Sequence, residues 1–311
     1  MNHILDSSIT YNAWDNSIKP RIEIESGDEI LIEMADSSDG QVSPGMSVED
    51  FTRIDFNLIH ALTGPVAIKD AHPGDTLRIE ILEYIHKGWA WQSINPEKCF
   101  LPDDFDDFYL QHWELVGLET KSMPGITLAL HPFCGIIGLQ RKEEGVFKTR
   151  PPGNFGGNMD VKHLTAGSTL YLPVQLEGGL LCAGDAHAAQ GDGEVSINGL
   201  EAPMDVKLRI SISDTVRTQE PYIRTTPHLA PEAYAGTTYH GFISSGPDVM
   251  ECARNAVRRA IDYLMKRINF SAEQAFLLCS AVLDLKMSQV VNVPNYTVTG
   301  YLPEAIFDEP I

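Results

Sequence analysis

The chain has 311 residues, a length typical of two domains or of one large β-rich domain, and 43% of them are hydrophobic, enough for a sizeable core. It carries 23 Lys and Arg against 43 Asp and Glu, a formal net charge of −20. This charge argues against nucleic acid and anionic membranes as partners, because their phosphates would be repelled, and it favours a small molecule that is not strongly acidic.

Short units of a turn followed by a strand recur along the first two-thirds of the chain. The segment 22–32, IEIESGDEILI, alternates apolar and polar residues around Gly27-Asp28 and predicts a β-hairpin. Further period-2 runs predict strands within 73–84, 166–176 and 206–212. Repeated units of this kind favour a sandwich or a barrel over βαβ crossovers.

Helical patterns are concentrated near the C-terminus. Apolar residues recur at helical spacing over 248–267, and Ser271 with Gln274 forms a capping-box pattern that predicts a second helix. The aromatic and acidic segment 88–110 has no clear period and is interpreted as an insertion, and the polar stretch 215–231 as a linker. The predicted fold class is mainly β, a β-sandwich or barrel-like body with a small C-terminal α+β portion.

Three regions are expected. Residues 1–150 form an N-terminal β-sandwich region, 151–220 a central β region that carries the candidate site, and 221–311 a C-terminal α+β region. Apolar runs fall short of the ~20 residues that span a bilayer, and the first ten residues lack the basic and apolar parts of a signal peptide. Five cysteines without C-x-x-C spacing indicate neither a disulfide framework nor a zinc finger, so a cytoplasmic protein is expected.

The segment 151–201 concentrates groups that bind metals or move protons. Asp185 and His187 are two residues apart, so in a strand both side chains project to the same face. Their neighbours are small and apolar, and charges in such surroundings need a partner or an ion. The six candidate groups of the segment are Asp160, Asp185, His187, Asp192, Glu194 and Glu201.

The donor types leave the ion open. Mixed carboxylate and imidazole ligands favour zinc or a similar divalent metal, whereas an all-oxygen subset would suit calcium. Asp192, beside glycine, is also a common turn residue. Asp36 and Gln41 bound a polar loop that could reach a pocket, and His131 is a candidate acid or ligand; Cys134 lacks a nearby base and is interpreted as a buried, inert thiol.

Five motifs give the chain a resemblance to the acetamidase/formamidase family: GQVSPGMSVEDF, TGPVAIKDAHPGDTL, HPFCGIIG, GGNMD and GDAHAAQGDGEV. The resemblance implies hydrolysis of a short neutral amide such as formamide or acetamide, a β-sandwich and barrel-like body, a homo-oligomer, and a metal for which zinc and calcium are both candidates. Asp160 falls on the GGN-x-D motif, and Asp185 with His187 on the GD-x-HA-x-QGDGE motif. Glu201 falls on the acidic residue that closes the segment, and Asp36 with Gln41 on an early polar loop.

The leading hypothesis is therefore a metal-assisted amidohydrolase. Asp160, Asp185 and His187 hold a divalent ion, with zinc favoured over calcium. Glu201 acts as the general base, and His131 is the second candidate for protonating the amine. The alternatives are a non-catalytic β module that binds a metal or ligand, and a hydrolase of another C–N substrate, which the aromatic segment around Trp89 and Trp91 would favour.

Overall fold

The computed structural model describes residues 2–309, and most of its regular structure is strand. Within these residues the strands are β1 (Asn2–Leu5), β2 (Ala13–Asp15), β3 (Ile22–Ile24), β4 (Glu29–Met34), β5 (Leu62–Ile68), β6 (Thr76–His86), β7 (Trp89–Ile94), β8 (Tyr109–Glu114), β9 (Glu119–Thr120), β10 (Leu128–Ala129), β11 (Phe133–Leu139), β12 (Val146–Lys148), β13 (Gly156–Asn158), β14 (Thr169–Pro173), β15 (Leu181–His187), β16 (Met204–Ile212), β17 (Tyr222–Arg224), β18 (Tyr239–Gly246), β19 (Asp284–Gln289) and β20 (Tyr296–Pro303). The α-helices are α1 (Val48–Phe51), α2 (Val249–Ile268) and α3 (Ala272–Val282).

Two large sheets build the body. One has the order β1-β4-β16-β6-β14-β17, and the other β13-β11-β15-β5-β3. Apolar side chains of both sheets, among them Ile30, Leu208, Ile137 and Leu181, belong to one hydrophobic core. The predicted mainly β class, with a β-sandwich-like body, is confirmed, because strands buried on one or both faces can share such a core.

The second sheet is buried on both faces along its centre. Every residue of β5, β11 and β15 is buried, so these strands read as continuous small and apolar runs rather than as an alternation. Any charged side chain on these strands is therefore removed from bulk water, which is the setting of Asp185 and His187.

The hairpin predicted for 22–32 is wrong. β3 pairs in parallel with β5 in one sheet, whereas β4 pairs with β1 and β16 in the other. Gly27, at φ 96°, donates its N–H to the carbonyl of Ile210 at 2.7 Å, which docks the turn on the first sheet and directs the chain from one sheet to the other. Alternation predicts that two strands exist; it does not fix their partners.

The C-terminal portion is α+β. Strands β18, β20 and β19 form a three-stranded sheet beside α2 and α3. The capping box at Ser271 and Gln274 is present at the start of α3. Strands from before and after residue 150 share both large sheets, while the three-stranded sheet draws only on residues after 221.

The segment 88–110 is more ordered than its sequence pattern indicates. Its first part is β7, which pairs with β8 in antiparallel register from Trp89 opposite Glu114 to Ile94 opposite Tyr109. Trp91 is buried, and its backbone also pairs with Glu201. Within residues 2–309, no helix has the length and apolar character needed to cross a membrane.

Candidate active site

Asp185 and His187 lie at the end of β15, in the middle of the second sheet. Both are buried, and the imidazole Nε2 of His187 lies 3.6 Å from Oδ1 of Asp185. The two side chains share a face, as their spacing predicts. The ring of Phe133, from the neighbouring strand β11, packs edge-on against the His187 ring at 5.1 Å between centroids.

Glu201 stands directly opposite His187. The backbones pair across an antiparallel bridge, so the two side chains project to the same side, and Nε2 of His187 lies 3.2 Å from Oε1 of Glu201. The other neighbour of Glu201 is Trp91, whose backbone exchanges two hydrogen bonds of 2.9 Å with it. The segment 88–110 thus positions a buried carboxylate of the site.

Asp160 reaches the same point from the end of β13. Its N–H donates to the carbonyl of Gly135 on β11 at 3.2 Å. A Cβ atom on Gly135 would lie 2.7 Å from Oδ1 of Asp160 and 3.1 Å from Oδ2 of Asp185. Gly135 therefore leaves the space in which the two carboxylates approach each other, and this explains a glycine in the HPFCG motif.

Glu194 completes the acidic cluster, which consists of Asp160, Asp185, Glu194 and Glu201. Its Oε1 lies 4.0 Å from Nε2 of His187 and accepts the N–H of Gly199 at 3.2 Å. Asp160, Asp185 and Glu194 all have left-handed backbone, with φ of 49°, 52° and 45°. Such conformations concentrate at functional sites because the surrounding structure must hold them in place.

The loop that carries Glu194 is anchored on α3. The carbonyl of Ser280 accepts the N–H of Gly191 at 2.8 Å, and the hydroxyl of Ser280 donates to the carbonyl of Asn198 at 2.8 Å. The C-terminal portion therefore supports the site directly.

Gln190 fixes the orientation of the His187 ring. Its Nε2 donates to the backbone carbonyl of Asp160 at 3.1 Å, so its Oε1 is the atom that faces Nδ1 of His187 at 2.7 Å. On this assignment Nδ1 carries a proton and donates, which leaves Nε2 directed at the carboxylates. A histidine held in this way by its second nitrogen is the usual arrangement of a metal ligand.

Three buried atoms at the centre of the cluster have no hydrogen-bond partner among the described residues: Oδ1 of Asp160, Nε2 of His187 and Oε2 of Glu201. Leaving buried polar atoms unpaired is costly. Ligand atoms of Asp160, Asp185 and His187 lie within 4.8 Å of one another, as do those of His187, Glu194 and Glu201. Both sets use the single free nitrogen of His187, so they describe one centre, and their mixed oxygen and nitrogen donors fit a zinc-like divalent ion.

The protonation of the acidic cluster also fits a site for a cation. Burial raises the pKa of Asp160 to about 7 and that of Glu201 to about 8, and it raises the pKa of Glu194 well above its usual value. Burial also acts to raise the pKa of Asp185, but the neighbouring imidazoles of His60 and His187 outweigh it and lower that pKa. Without a cation the cluster therefore retains protons that a bound ion would displace.

The four acidic residues line a cavity of about 80 Å³, which has room for a few atoms the size of water. Sequence patterns did not indicate the other polar residues of its wall, which are Ser37, His60, Arg150, Asn158 and Asn198. His60 has left-handed backbone and places its Nε2 at 3.9 Å from Oδ2 of Asp185. Burial lowers the pKa of His60, so its imidazole is neutral at pH 7. The adjacent Ser37 hydroxyl is buried without a hydrogen-bond partner among the described residues.

The structure does not bring Asp36, Gln41 or His131 to this cavity. Asp36 accepts hydrogen bonds from the indole N–H of Trp91 and from the N–H of Ser38, and Gln41 holds the backbone around Asp55. These residues shape the polar loop, and Asp36 touches Trp91, which in turn pairs with Glu201.

His131 lines a separate cavity beside Lys162 and Asp284. Burial lowers its pKa to about 4, so it is neutral at pH 7. Cys134 is buried, and burial raises the pKa of its thiol to about 12, so it is not a thiolate nucleophile.

Comparison with known proteins identifies relatives of this chain. The sequence profile of the acetamidase/formamidase family matches residues 3–146 and 139–309. A formamidase from Methylophilus methylotrophus is 28% identical, with 96% of this chain and 89% of that protein aligned. An acetamidase from Mycolicibacterium smegmatis is 27% identical over 86% of this chain and 84% of its own length.

Solved structures agree on the fold. A γ-lactamase from Delftia acidovorans superposes with a TM-score of 0.90 at 25% identity, covering 100% of this chain and 94% of its own. An acetamidase from Bacillus halodurans gives a TM-score of 0.68 at 30% identity, covering 96% and 97%. The fold and the sequence thus point to proteins that cleave amide bonds.

Proposed function

We propose that this chain, which belongs to the acetamidase/formamidase family and hydrolyses short-chain amides, uses a divalent metal ion for the reaction. The acidic cluster holds this ion. The observation that carries the proposal is the convergence of three buried ligand atoms, from Asp160, His187 and Glu201, that have no hydrogen-bond partner among the described residues. The ligands we assign are Asp160, Asp185 and His187, and we favour zinc over calcium because the set includes an imidazole.

An ion held there would supply Lewis acidity, polarising the amide carbonyl and lowering the pKa of bound water, from 15.7 to about 7 in suitable zinc sites. The protein's own groups then move the protons. Glu201, buried and with Oε2 free of other partners within residues 2–309, takes the proton from the attacking water. The water oxygen bonds to the carbonyl carbon, the C–N bond breaks, and the same carboxyl group delivers the proton to the leaving nitrogen.

His60 is better placed than His131 to contact the amide nitrogen. It lines the cavity and lies beside Asp185, whereas His131 lines another cavity. A neutral imidazole can donate or accept a hydrogen bond without adding charge to the site. Ser37 adds to the same wall a hydroxyl that has no hydrogen-bond partner within residues 2–309.

The test combines metal removal with one substitution. We expect turnover of formamide or acetamide to be lost on chelation and restored by zinc. Asp185→Asn, which keeps the shape of the side chain and removes its charge, should lower bound metal and reduce kcat/KM by at least about 100-fold. The matched control is Asp192→Asn in the same motif, whose carboxylate lies beside Lys162 and outside the cavity. Full activity in metal-free protein, or in Asp185→Asn, contradicts the proposal.

A second candidate is hydrolysis of a cyclic amide. The superposition on the γ-lactamase, at a TM-score of 0.90, is much closer than that on the acetamidase, at 0.68. Opening a γ-lactam ring releases an amino acid and no ammonia, so an ammonia assay would miss it. The substrate panel should therefore include 2-pyrrolidinone, with the new primary amine as the readout; turnover of the lactam above that of linear amides would favour this candidate.

We further propose a homo-oligomer that acts in the cytoplasm. The hairpin between β19 and β20 exposes four large apolar side chains, which would be covered in an assembly: Met287, Val290, Val291 and Val293. The five cysteines are free and buried, as suits a reducing compartment. The variant Val291→Asp should dissociate the assembly. Light scattering of the wild type and of this variant tests whether the protein is a homo-oligomer.

A further inference from the structure

A second cavity of about 400 Å³ adjoins the carboxylate cavity. Ile59, His60 and Arg150 line both, so the larger space opens on the site. We call it the basic vestibule and define it by its three cationic residues, Lys98, Lys148 and Arg150.

The charge of the vestibule is opposite to that of the molecule. The chain has 43 acidic residues against 23 Lys and Arg, yet the described wall of this space contains three cations and no carboxylate. Within residues 2–309 none of the three forms an ion pair with an acidic side chain. Lys98 instead lies with its Nζ 5.6 Å from the ring centroid of Phe56, a cation–π contact that leaves the ammonium open to a ligand.

The inner cavity has the opposite character. Four acidic residues surround about 80 Å³, so the space admits only a small group such as a carboxamide, and a carboxylate is better placed beside the cations of the vestibule. A molecule that spans both spaces would therefore be neutral at its reacting end and anionic at its far end. Amides of very few atoms offer little binding energy, and a charged end bound away from the reacting carbon supplies it.

Resting on the proposed function, we propose that the preferred substrate is a short-chain amide that also carries a carboxylate, a monoamide of a dicarboxylic acid, whose carboxylate binds in the basic vestibule. Lys98 and Lys148 contact the carboxylate, and Arg150, which lines both cavities, lies between the two ends. Lys98 belongs to the segment 88–110, which gives this segment a role in substrate choice besides its support of Glu201.

The experiment compares succinamate with butyramide, which has a methyl group in place of the carboxylate. With metal restored, we expect the wild type to favour succinamate in kcat/KM by about tenfold or more. Lys98→Met and Lys148→Met should each lower the ratio of the two kcat/KM values about three- to tenfold, mainly through the KM for succinamate. Lys148→Arg should keep the ratio, and so should Lys266→Met, at an exposed lysine on α2 that does not line the vestibule.

A wild type that hydrolyses butyramide as well as succinamate overturns the inference, and so does a ratio that neither lysine variant changes. Failure of the proposed function looks different, since hydrolysis would then either survive metal removal or be absent for both amides. If neither amide is hydrolysed, calorimetry with succinamate itself decides about the vestibule alone. Binding to the wild type that is weakened in Lys98→Met and Lys148→Met supports a carboxylate site, and absence of binding overturns it.

Discussion

At the scale of single residues, Gln190 shows how much of the site depends on a neutral side chain. It neither carries charge nor lines the cavity, yet it joins His187 to the backbone of Asp160. Its two hydrogen bonds hold the ring of one proposed ligand and the chain of another. Replacing Gln190 should therefore change the metal affinity more than it changes the stability of the fold.

We predict that Gln190→Leu, which has nearly the same shape but no hydrogen-bonding groups, weakens metal binding by about 10- to 100-fold. Without the acceptor at Nδ1, the ring of His187 is free to rotate or to change tautomer. Competition with a chromophoric zinc chelator measures the affinity directly. Gln175→Leu, at a residue outside the site that bonds to Asn154, is the control, and equal zinc affinity of Gln190→Leu and the wild type would refute the positioning role.

The sequence predicts some of these residues better than others. Asp185 and His187 follow from their spacing on a strand, because the period of a strand is local information. Gln190 stands in the same motif and was accessible to the same reasoning: a buried histidine ligand needs a partner for its second nitrogen. His60 was not, because its approach to Asp185 depends on how β5 and β15 pair across a long stretch of chain.

At the scale of elements, the site is built where three strands of one sheet end. β15 carries Asp185 and His187, β13 delivers Asp160, and β11 between them contributes Gly135. The space left by this glycine is part of the site's geometry, so adding one methyl group there tests it.

We predict that Gly135→Ala lowers kcat/KM by about 100-fold or more, because the new Cβ would displace the carboxylates of Asp160 and Asp185, and small misplacements are costly in catalysis. Gly241→Ala on β18 is the matched control, since its Cβ would meet only ordinary contacts at 3.6 Å or more. Steady-state kinetics with circular dichroism separates a damaged site from a damaged fold. An alanine variant at 135 that folds and works normally would show that the two carboxylates are not needed where they lie.

Element prediction succeeded where the pattern is local and failed where partners are distant. The helix at 248–267 and the capping box of α3 are properties of a few neighbouring residues, and both are present. The alternation of 22–32 identified two strands correctly, but their assignment to different sheets depends on Gly27 docking on β16. The strand β7 of the segment 88–110 shows no alternation because it is buried nearly throughout, so it has no exposed face that would require polar residues.

At the scale of the whole molecule, the acidic cluster makes the stability of the protein depend on pH. Burial raises the folded-state pKa of Asp160 to about 7 and of Glu201 to about 8, against roughly 4 for each in an unfolded chain. Between these values the folded protein binds protons that the unfolded chain has released. Stability of the metal-free protein therefore falls as the pH rises through this window.

We predict that the free energy of unfolding of metal-free protein decreases from pH 6.5 to pH 8, with a slope of up to about 1.4 kcal/mol per pH unit for each proton. Burial lowers the pKa of His60, His131 and His163, which acts in the opposite sense, but only below their ordinary value of 6.5. Urea unfolding in chelator at the two pH values measures the difference. Glu201→Gln should flatten the dependence, and so should bound zinc; a stability that rises over this range would contradict the assignment.

The dependence of the site on α3 has a consequence for how the protein is made. The loop bearing Glu194 is tied to Ser280, and Asp185 and His187 lie on β15, which pairs with the much earlier strand β5. During synthesis, which proceeds from the N-terminus, β15 leaves the ribosome well before α3 exists. A nascent chain that lacks α3 therefore cannot assemble the complete centre, and we expect the proposed ion to be acquired only after α3 has been made, from the metal supply of the cell.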